Sequence, residues 1–397
     1  MKAETISIGT ELLLGEITDT NAVWLAQRLA EVGVDLYFRT TVGDNVGRIV
    51  DAICHALTRA DVVITTGGLG PTVDDVTREA VARATNRDMV LDENLLAQIR
   101  ERFAKWGSPM SENNVRQAYI PRGATPIENP VGTAPCFIVE TDGRYVISLP
   151  GVPREMKHLM ETRVLPWLRE KTGGEQIILS KILRTCAVGE SMVDSKITDL
   201  ETSANPTVGL RAHPGQTDIV VTAKARTRAE AEALIRDMET HVRERLGTWV
   251  YGEGDETVEE VVARLLTARN WHVAIAETNT AGKIAERLRA RPEGAHVIKS
   301  AMLLDNVTEL TEQNAATMAE QWRNVTGADI GLVVLGTTGS SQGLYGADTG
   351  RTVIAVATAT ETTTRAHTVG GISEQAQTWV IVRALDLVRR AALKRDE

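Results

Sequence analysis

Cysteine is nearly absent from this chain of 397 residues, with three in all. Cys54, Cys136 and Cys186 lie far apart, without metal-ligand spacing, so a reducing cytoplasm is the expected compartment. Long apolar runs are also missing. No stretch approaches the ~20 residues that span a bilayer, and the start Met1-Lys2-Ala3-Glu4-Thr5-Ile6-Ser7-Ile8 lacks the apolar core of a signal peptide. Positive charge is in short supply: 44 Lys and Arg stand against 53 Asp and Glu, a formal charge of −9. That argues against a nucleic-acid partner held by a general phosphate field, and no membrane partner is expected. There is no tandem repeat and no low-complexity tract. What remains is 43% hydrophobic and 24% charged, an ordinary globular composition at a length that calls for two or three domains.

Periodicity gives the organisation. Thr5–Gly9, Asp35–Val42 and Asp61–Thr65 read as strands, and Asn21–Val32 and Arg48–Arg59 as amphipathic helices between them. Such alternation implies right-handed βαβ units and a parallel sheet. A helical region over Asp92–Trp106 and a strand over Tyr145–Leu149 follow. A boundary is expected near residues 170–176. Beyond it the order strand, helix, strand, strand, helix marks a small α+β segment, with Thr217–Ala225 a strand and Ala229–Leu246 a helix. Gly252-Glu253-Gly254-Asp255 reads as a second linker. The last segment has strands at Val273–Ala276, Ile330–Leu335 and Thr352–Ala357 and a closing helix over Glu374–Leu393. The expectation is an α/β protein: a three-layer parallel-sheet domain over 1–172, a small α+β domain over 173–254 as linker or dimerisation element, and a second α/β domain over 255–397.

Three motifs fall at carboxyl ends of strands in the first domain, where open parallel sheets place their ligands. The most informative is Val62-Val63-Ile64-Thr65-Thr66-Gly67-Gly68-Leu69-Gly70-Pro71-Thr72-Val73-Asp74-Asp75. Its glycines let the backbone turn sharply and bring amides close to a ligand, and the following helix start favours an anion. Asp74 and Asp75 suit a divalent cation, magnesium or similar, riding on phosphate oxygens, although aspartates there also serve as helix caps. The second motif runs from Gly9, Thr10 and Glu11 to Gly15 and on to Asn21. The third is Leu149-Pro150-Gly151-Val152-Pro153-Arg154-Glu155-Met156-Lys157. Together they point to a phosphorylated ligand held with a metal. His55, His158, His213 and His241 show no ligand spacing.

These residues resemble the CinA family, the competence/damage-inducible proteins. So do Glu112-Asn113-Asn114, Gln117-Ala118, Asn129-Pro130-Val131-Gly132-Thr133-Ala134-Pro135 and Val188-Gly189-Glu190-Ser191. The resemblance implies a first domain with the molybdopterin-binding fold of MoaB and MogA and a metal-dependent ADP-ribose pyrophosphatase activity. Asp75 aligns with the aspartate that follows the glycine loop in that pattern. The implied catalytic set is Asp75, Asp74 and Glu155, with Asp75 and Asp74 on the metal. Gly9, Thr10, Glu11, Asn21, Gly67, Gly68, Gly70, Thr72, Asn113, Arg154 and Lys157 are the implied nucleotide contacts. Arg154 and Lys157 also read as a solvated helix face. A homodimer is implied by resemblance alone. A non-catalytic nucleotide- or pterin-binding module remains open beside the hydrolase.

The last segment departs from its family. CinA C-terminal domains resemble nicotinamide mononucleotide deamidases, which carry Ala-Glu-Ser-Cys-Thr-Gly-Gly. Here the stretch is Ala276-Glu277-Thr278-Asn279-Thr280-Ala281-Gly282, with Thr278 at the serine position. The family's tyrosine and lysine of the next motif are Leu304 and Glu309 in Leu304-Asp305-Asn306-Val307-Thr308-Glu309. Gly336-Thr337-Thr338-Gly339-Ser340 and Gly371-Ile372-Ser373-Glu374-Gln375-Ala376-Gln377 have also diverged, and both arginines of the latter motif are gone. A nucleophile without its base and anion partners does not make an amidohydrolase, so a degenerate site at Thr278 and Thr280 is expected. A deamidase working through Thr278 is the alternative. The middle segment has an order like KH folds, but no Gly-x-x-Gly loop lies between Ile177 and Tyr251 to clamp a nucleic-acid backbone.

Overall fold

The computed structural model describes residues 1–397 apart from 175, 306, 308, 338–349 and 395–397. Asn306, Thr308, Thr338, Gly339 and Ser340, named among the diverged motifs, therefore lie outside the described residues. The chain divides into two compact units, Met1–Leu179 with Lys224–Glu232, and Ser180–Ala223 with Ala233–Glu397.

The first unit begins β1 (Lys2–Ile8), α1 (Thr10–Leu13), α2 (Thr20–Ala30), β2 (Asp35–Val42), α3 (Val46–Leu57), β3 (Val62–Thr66) and α4 (Thr77–Ala84). It continues β4 (Met89–Leu91), α5 (Glu93–Lys105), β5 (Tyr119–Pro121), β6 (Thr125–Ile127), β7 (Cys136–Thr141) and β8 (Arg144–Leu149). A pair of short helices, α6 (Pro153–Leu159) and α7 (Leu165–Lys171), closes it. The main sheet has the order β2-β1-β3-β8-β7-β6. β2, β1, β3 and β8 are parallel, while β7 and β6 run antiparallel at one edge. Alternation along the central strands feeds two cores. Ile6, Ile8, Val63, Phe137 and Val139 pack against α3, α4 and α5, whereas Ala3, Val62, Ile64, Ile147 and Leu149 pack against α2 and α6. This is the three-layer α/β arrangement expected.

The strands β6 and β7 were not foreseen. The signal for β7 was an Asp142-Gly143 pair, whose positive φ angles of 48° and 74° make the tight hairpin turn into β8. Helix starts follow their caps. Asn45 Oδ1 accepts the Arg48 N–H at 3.1 Å ahead of α3, and Asp19 Oδ1 accepts that of Ala22 at 2.9 Å ahead of α2.

The rest of the chain comprises β9 (Ile177–Cys186), α8 (Glu190–Glu201), β10 (Thr207–His213), β11 (Gln216–Ala225), α9 (Arg228–Leu246) and β12 (Val250–Glu253). Its sheet has the order β10-β11-β9-β12. Of the expected linker Gly252–Asp255, Gly252 and Glu253 belong to β12, paired antiparallel with Arg184 and Leu183 of β9. Then come α10 (Val258–Arg269), β13 (Val273–Glu277), α11 (Lys283–Arg289), α12 (Gly294–Val297), β14 (Ile298–Leu303) and α13 (Glu312–Thr326). β15 (Ile330–Gly336), β16 (Thr352–Ala357), β17 (Thr362–His367) and α14 (Glu374–Leu393) end the chain. Here the sheet order is β14-β13-β15-β16-β17, three parallel strands followed by an antiparallel pair. No helix of the described residues is long and apolar enough to cross a membrane.

Candidate functional site

In the first sheet β1 lies between β2 and β3, so the chain reverses its direction of progress there and opens a crevice beyond the strand ends. β8 is the next neighbour of β3. The three glycine motifs, distant in sequence, thereby arrive side by side. A Cβ at Gly67, where φ is +102°, would stand 2.1 Å from the Ile8 carbonyl oxygen. The Gly67 N–H donates to the Leu149 carbonyl at 3.1 Å, and a Cβ at Gly151 would lie 3.3 Å from the Gly67 Cα. No side chain fits at Gly67, and the approach at Gly151 is tight. Asn21 joins the first motif to the third, its Nδ2 donating to the Gly151 carbonyl at 2.7 Å. Its buried Oδ1 has no partner.

The loop after β3 is held from behind. Arg78, 4% exposed, donates through Nη1 to the Gly70 carbonyl at 3.3 Å and through Nη2 to that of Leu69. Gln117 Nε2 also reaches the Leu69 carbonyl, at 3.4 Å, and Arg116 Nη1 donates to that of Thr72 at 2.5 Å. Burial draws the Arg78 pKa down to about 10, partly offset by Asp75, so it remains a cation at neutral pH. Its Nε is buried without a partner. Thr77 Oγ1 donates to the Gly67 carbonyl at 2.8 Å. These bonds draw the loop's carbonyls back and brace its shape.

Asp74 and Asp75 do not cap α4, whose first residue is Thr77 and whose N-cap, Val76, makes no side-chain cap. Asp75 Oδ2 instead accepts the Thr72 N–H at 2.8 Å and the Thr72 hydroxyl at 2.5 Å, closing the turn on itself. Asp74 is exposed. The Thr72 hydroxyl and the Asp74 N–H, with Arg116 nearby, hold its carboxyl below the usual range. Two carboxylates and a hydroxyl within four residues suit a hard cation that also takes phosphate oxygens and water. Among the described residues no three His, Cys, Asp or Glu are grouped to enclose a metal ion.

Gly9 precedes α1, and a Cβ there would meet the Glu11 carboxylate at 2.5 Å. Thr10 donates from N and Oγ1 to Asp44 Oδ2, both at 2.8 Å. Glu155 is half-buried and receives a hydrogen bond from Asn129 Nδ2 at 2.5 Å. Burial raises its pKa, against the hydrogen bonds from Asn129 and the Ala134 backbone. Asn113 accepts from Ser111 Oγ at 2.7 Å. Arg154 is exposed, and Lys157 Nζ stands 5.8 Å from the Trp24 ring centre. Sequence reasoning passed over Arg78, Arg116, Asp44 and Asn129 as site residues. Asp44 follows Gly43 at the end of β2, a fourth strand end.

In the second unit, the Thr278 side chain is bonded to backbone groups. Thr278 is 6% exposed. Its Oγ1 accepts the Gly336 N–H at 2.7 Å and lies 3.2 Å from both the Val334 and the Gly336 carbonyl oxygens. Thr280 Oγ1 donates to Glu277 Oε2 at 2.6 Å, and that carboxylate accepts the Ile284 and Ala285 N–H groups at the start of α11. Gln377 donates to the Asn279 carbonyl at 2.9 Å and accepts from Lys283 Nζ at 2.6 Å. Glu277 thus caps the start of α11, held in place by the Thr280 hydroxyl.

Residues 4–170 match the family model "Probable molybdopterin binding domain", 180–252 "Damage-inducible protein CinA KH domain", and 255–392 "CinA C-terminal domain". A CinA-like protein of Dictyoglomus turgidum is 38% identical over 411 residues, covering 99% of this chain and all (100%) of its own. That of Dictyoglomus thermophilum is 39% identical over 411 residues, with the same coverage of 99% and 100%. Among solved structures, the protein CinA with unknown function from Thermoplasma acidophilum is 38% identical over 43% of this chain and 96% of its own, with a TM-score of 0.39.

Proposed function

This chain belongs to the CinA family, and on that premise we propose that its first unit is a metal-dependent hydrolase of ADP-ribose or a related nucleotide pyrophosphate. The observation that carries the reading is the convergence of the three strand-end motifs on one crevice, with Asp74 and Asp75 on a loop braced by Arg78. In this reading Asp74 and Asp75 would hold a divalent cation, which would supply charge neutralisation at the phosphates and activation of water. The Gly67–Gly70 backbone and Thr72 cradle the diphosphate, with Gly9, Thr10 and Glu11 across the crevice. The unpartnered Oδ1 of Asn21 accepts from a ribose hydroxyl, and Asn113 reads ribose or base. Arg154 and Lys157 meet phosphate at the rim. Glu155 takes the proton from the attacking water, its carboxylate made more basic by burial. Water adds across the P–O–P linkage, leaving two phosphate monoesters.

Phosphatase-coupled detection of those monoesters tests the reading. Turnover of ADP-ribose should need added magnesium and fall on the order of 100-fold or more in Asp75→Asn, with the fold intact by circular dichroism. Tight ADP-ribose binding by the wild type without turnover would instead make the unit a binding module.

The second unit is read as inactive towards nicotinamide mononucleotide, because the Thr278 hydroxyl is buried between backbone groups. Ammonia released by the full chain and lost in Thr278→Val would overturn this. The reading also includes a homodimer in the cytoplasm, checked by light scattering, and a middle segment that acts without a nucleic-acid partner.

A further inference from the structure

Two motifs of the first unit, Gln117-Ala118 and Asn129-Pro130-Val131-Gly132-Thr133-Ala134-Pro135, have no part in the reading above. The second lies between β6 and β7 and wraps the Glu155 carboxylate. Asn129, 4% exposed, donates from Nδ2 to Glu155 Oε2 at 2.5 Å and to the Ala134 carbonyl at 2.9 Å. Its Oδ1 accepts the Val131 N–H at 3.1 Å. The backbone thereby fixes which end of the amide faces Glu155. Nδ2 brings two hydrogens, one for Ala134 and one for the carboxylate, and accepts nothing in return. A Cβ at Gly132 would stand 2.0 Å from Glu155 Oε2, so the carboxylate occupies the space a side chain would take there.

Neighbouring elements hold this wrap in place. Arg102 of α5 donates through Nη1 to the Pro130 carbonyl. Gln117, 1% exposed, has its Nε2 3.3 Å from Thr133 Oγ1 and 3.4 Å from the Leu69 carbonyl oxygen. It therefore bridges the segment to the glycine loop after β3. The charged groups whose fields reach Glu155 are Arg102 and, on its own helix, Arg154. Both favour the carboxylate, as do the bonds from Asn129 and the Ala134 backbone, while burial favours the protonated acid.

We propose that Asn129 is the positioning residue of the base: it holds Glu155 ionised and in one orientation, ready for the proton that leaves the attacking water. The inference rests on the reading of Glu155 as that base. Asn129 acts through Glu155 and itself touches no reacting atom. Without its amide, a half-buried carboxyl keeps its proton to higher pH and loses a fixed direction. Were Glu155 only a staple between this segment and α6, changing Asn129 would alter stability and leave the pH dependence of turnover in place.

Two readouts on the full chain test this. One is a carbon-13 titration of the Glu155 carboxyl, identified as the signal missing in Glu155→Gln. The other is the pH–rate profile of ADP-ribose hydrolysis with magnesium. Asn129→Asp keeps an acceptor for Val131 and removes the donor to Glu155, whereas Asn129→Ala removes both. In each variant the Glu155 titration and the acid limb of kcat should move together to higher pH. The move should be larger in Asn129→Asp, where a second carboxylate faces the first. At neutral pH kcat should fall on the order of tenfold or more, with KM little changed. Circular dichroism checks the fold, and the nearly isosteric Asn129→Asp carries the test if Asn129→Ala does not fold. A Glu155 titration that Asn129→Asp leaves in place overturns the proposal, and so does one that moves while the acid limb stays. Full turnover by Glu155→Gln overturns the base reading and the proposal with it. A wild type without turnover overturns the pyrophosphatase reading instead, and the titration then decides alone whether Asn129 holds Glu155 ionised.

Discussion

At the scale of single residues, Arg78 shows how a buried charge shapes a loop. Its guanidinium stands behind Leu69 and Gly70 and takes their carbonyls, while the partner-free Nε shows that fit to the loop came before complete hydrogen bonding. Arg78→Met should leave these carbonyls short of donors at about 1–3 kcal/mol each, read as a lower urea midpoint. Gln117 still reaches Leu69, so the loss falls mainly at Gly70. Glu155 gives a pH test. Its pKa is raised in the fold, so the stability it contributes is full below its unfolded pKa and is lost as pH rises through the folded one. The stability of the wild type relative to Glu155→Gln should therefore fall as pH rises across that window, measured by urea unfolding at several pH values. A difference that rises with pH would refute the sign. Asp75 was singled out in the sequence by the glycine loop before it and by its alignment with the family pattern. Arg78 was not, because nothing in a sequence says that a helical arginine faces inward.

At the scale of elements, local signals and tertiary pairing divide the work. The caps of α2 and α3 follow from Asp19 and Asn45. α10 begins with a reciprocal box, in which Thr257 Oγ1 accepts the Glu260 N–H at 3.3 Å and Glu260 Oε2 accepts the Thr257 N–H at 2.9 Å. Thr257→Ala should cost about 1 kcal/mol, seen as a lower denaturation midpoint with an unchanged urea dependence. Strands buried on both faces, such as β3 and β15, were readable as β-branched runs. β17 was not, because Thr362–His367 is polar and half-exposed and becomes a strand only by pairing with β16. β14 likewise depends on its parallel pairing with β13.

At the scale of the whole chain, the two compact units have cores of their own, and thermal unfolding should not be two-state. Calorimetry should give a measured enthalpy above the van't Hoff value, and ADP-ribose with magnesium should raise the transition of the first unit. A ratio of one would show that the cores unfold together. The sequence by itself determined the α/β class, the order of most elements, the family and the three glycine motifs. Those are properties of periodicity and local spacing, which need no partner. Only the tertiary structure decided that the motifs meet, since their proximity comes from β1, β3 and β8 lying side by side. It also decided that Asp75 closes a turn rather than capping α4, and that Thr278 is locked between backbone groups. Each of these depends on contacts between residues far apart in sequence, and chain spacing carries no record of them.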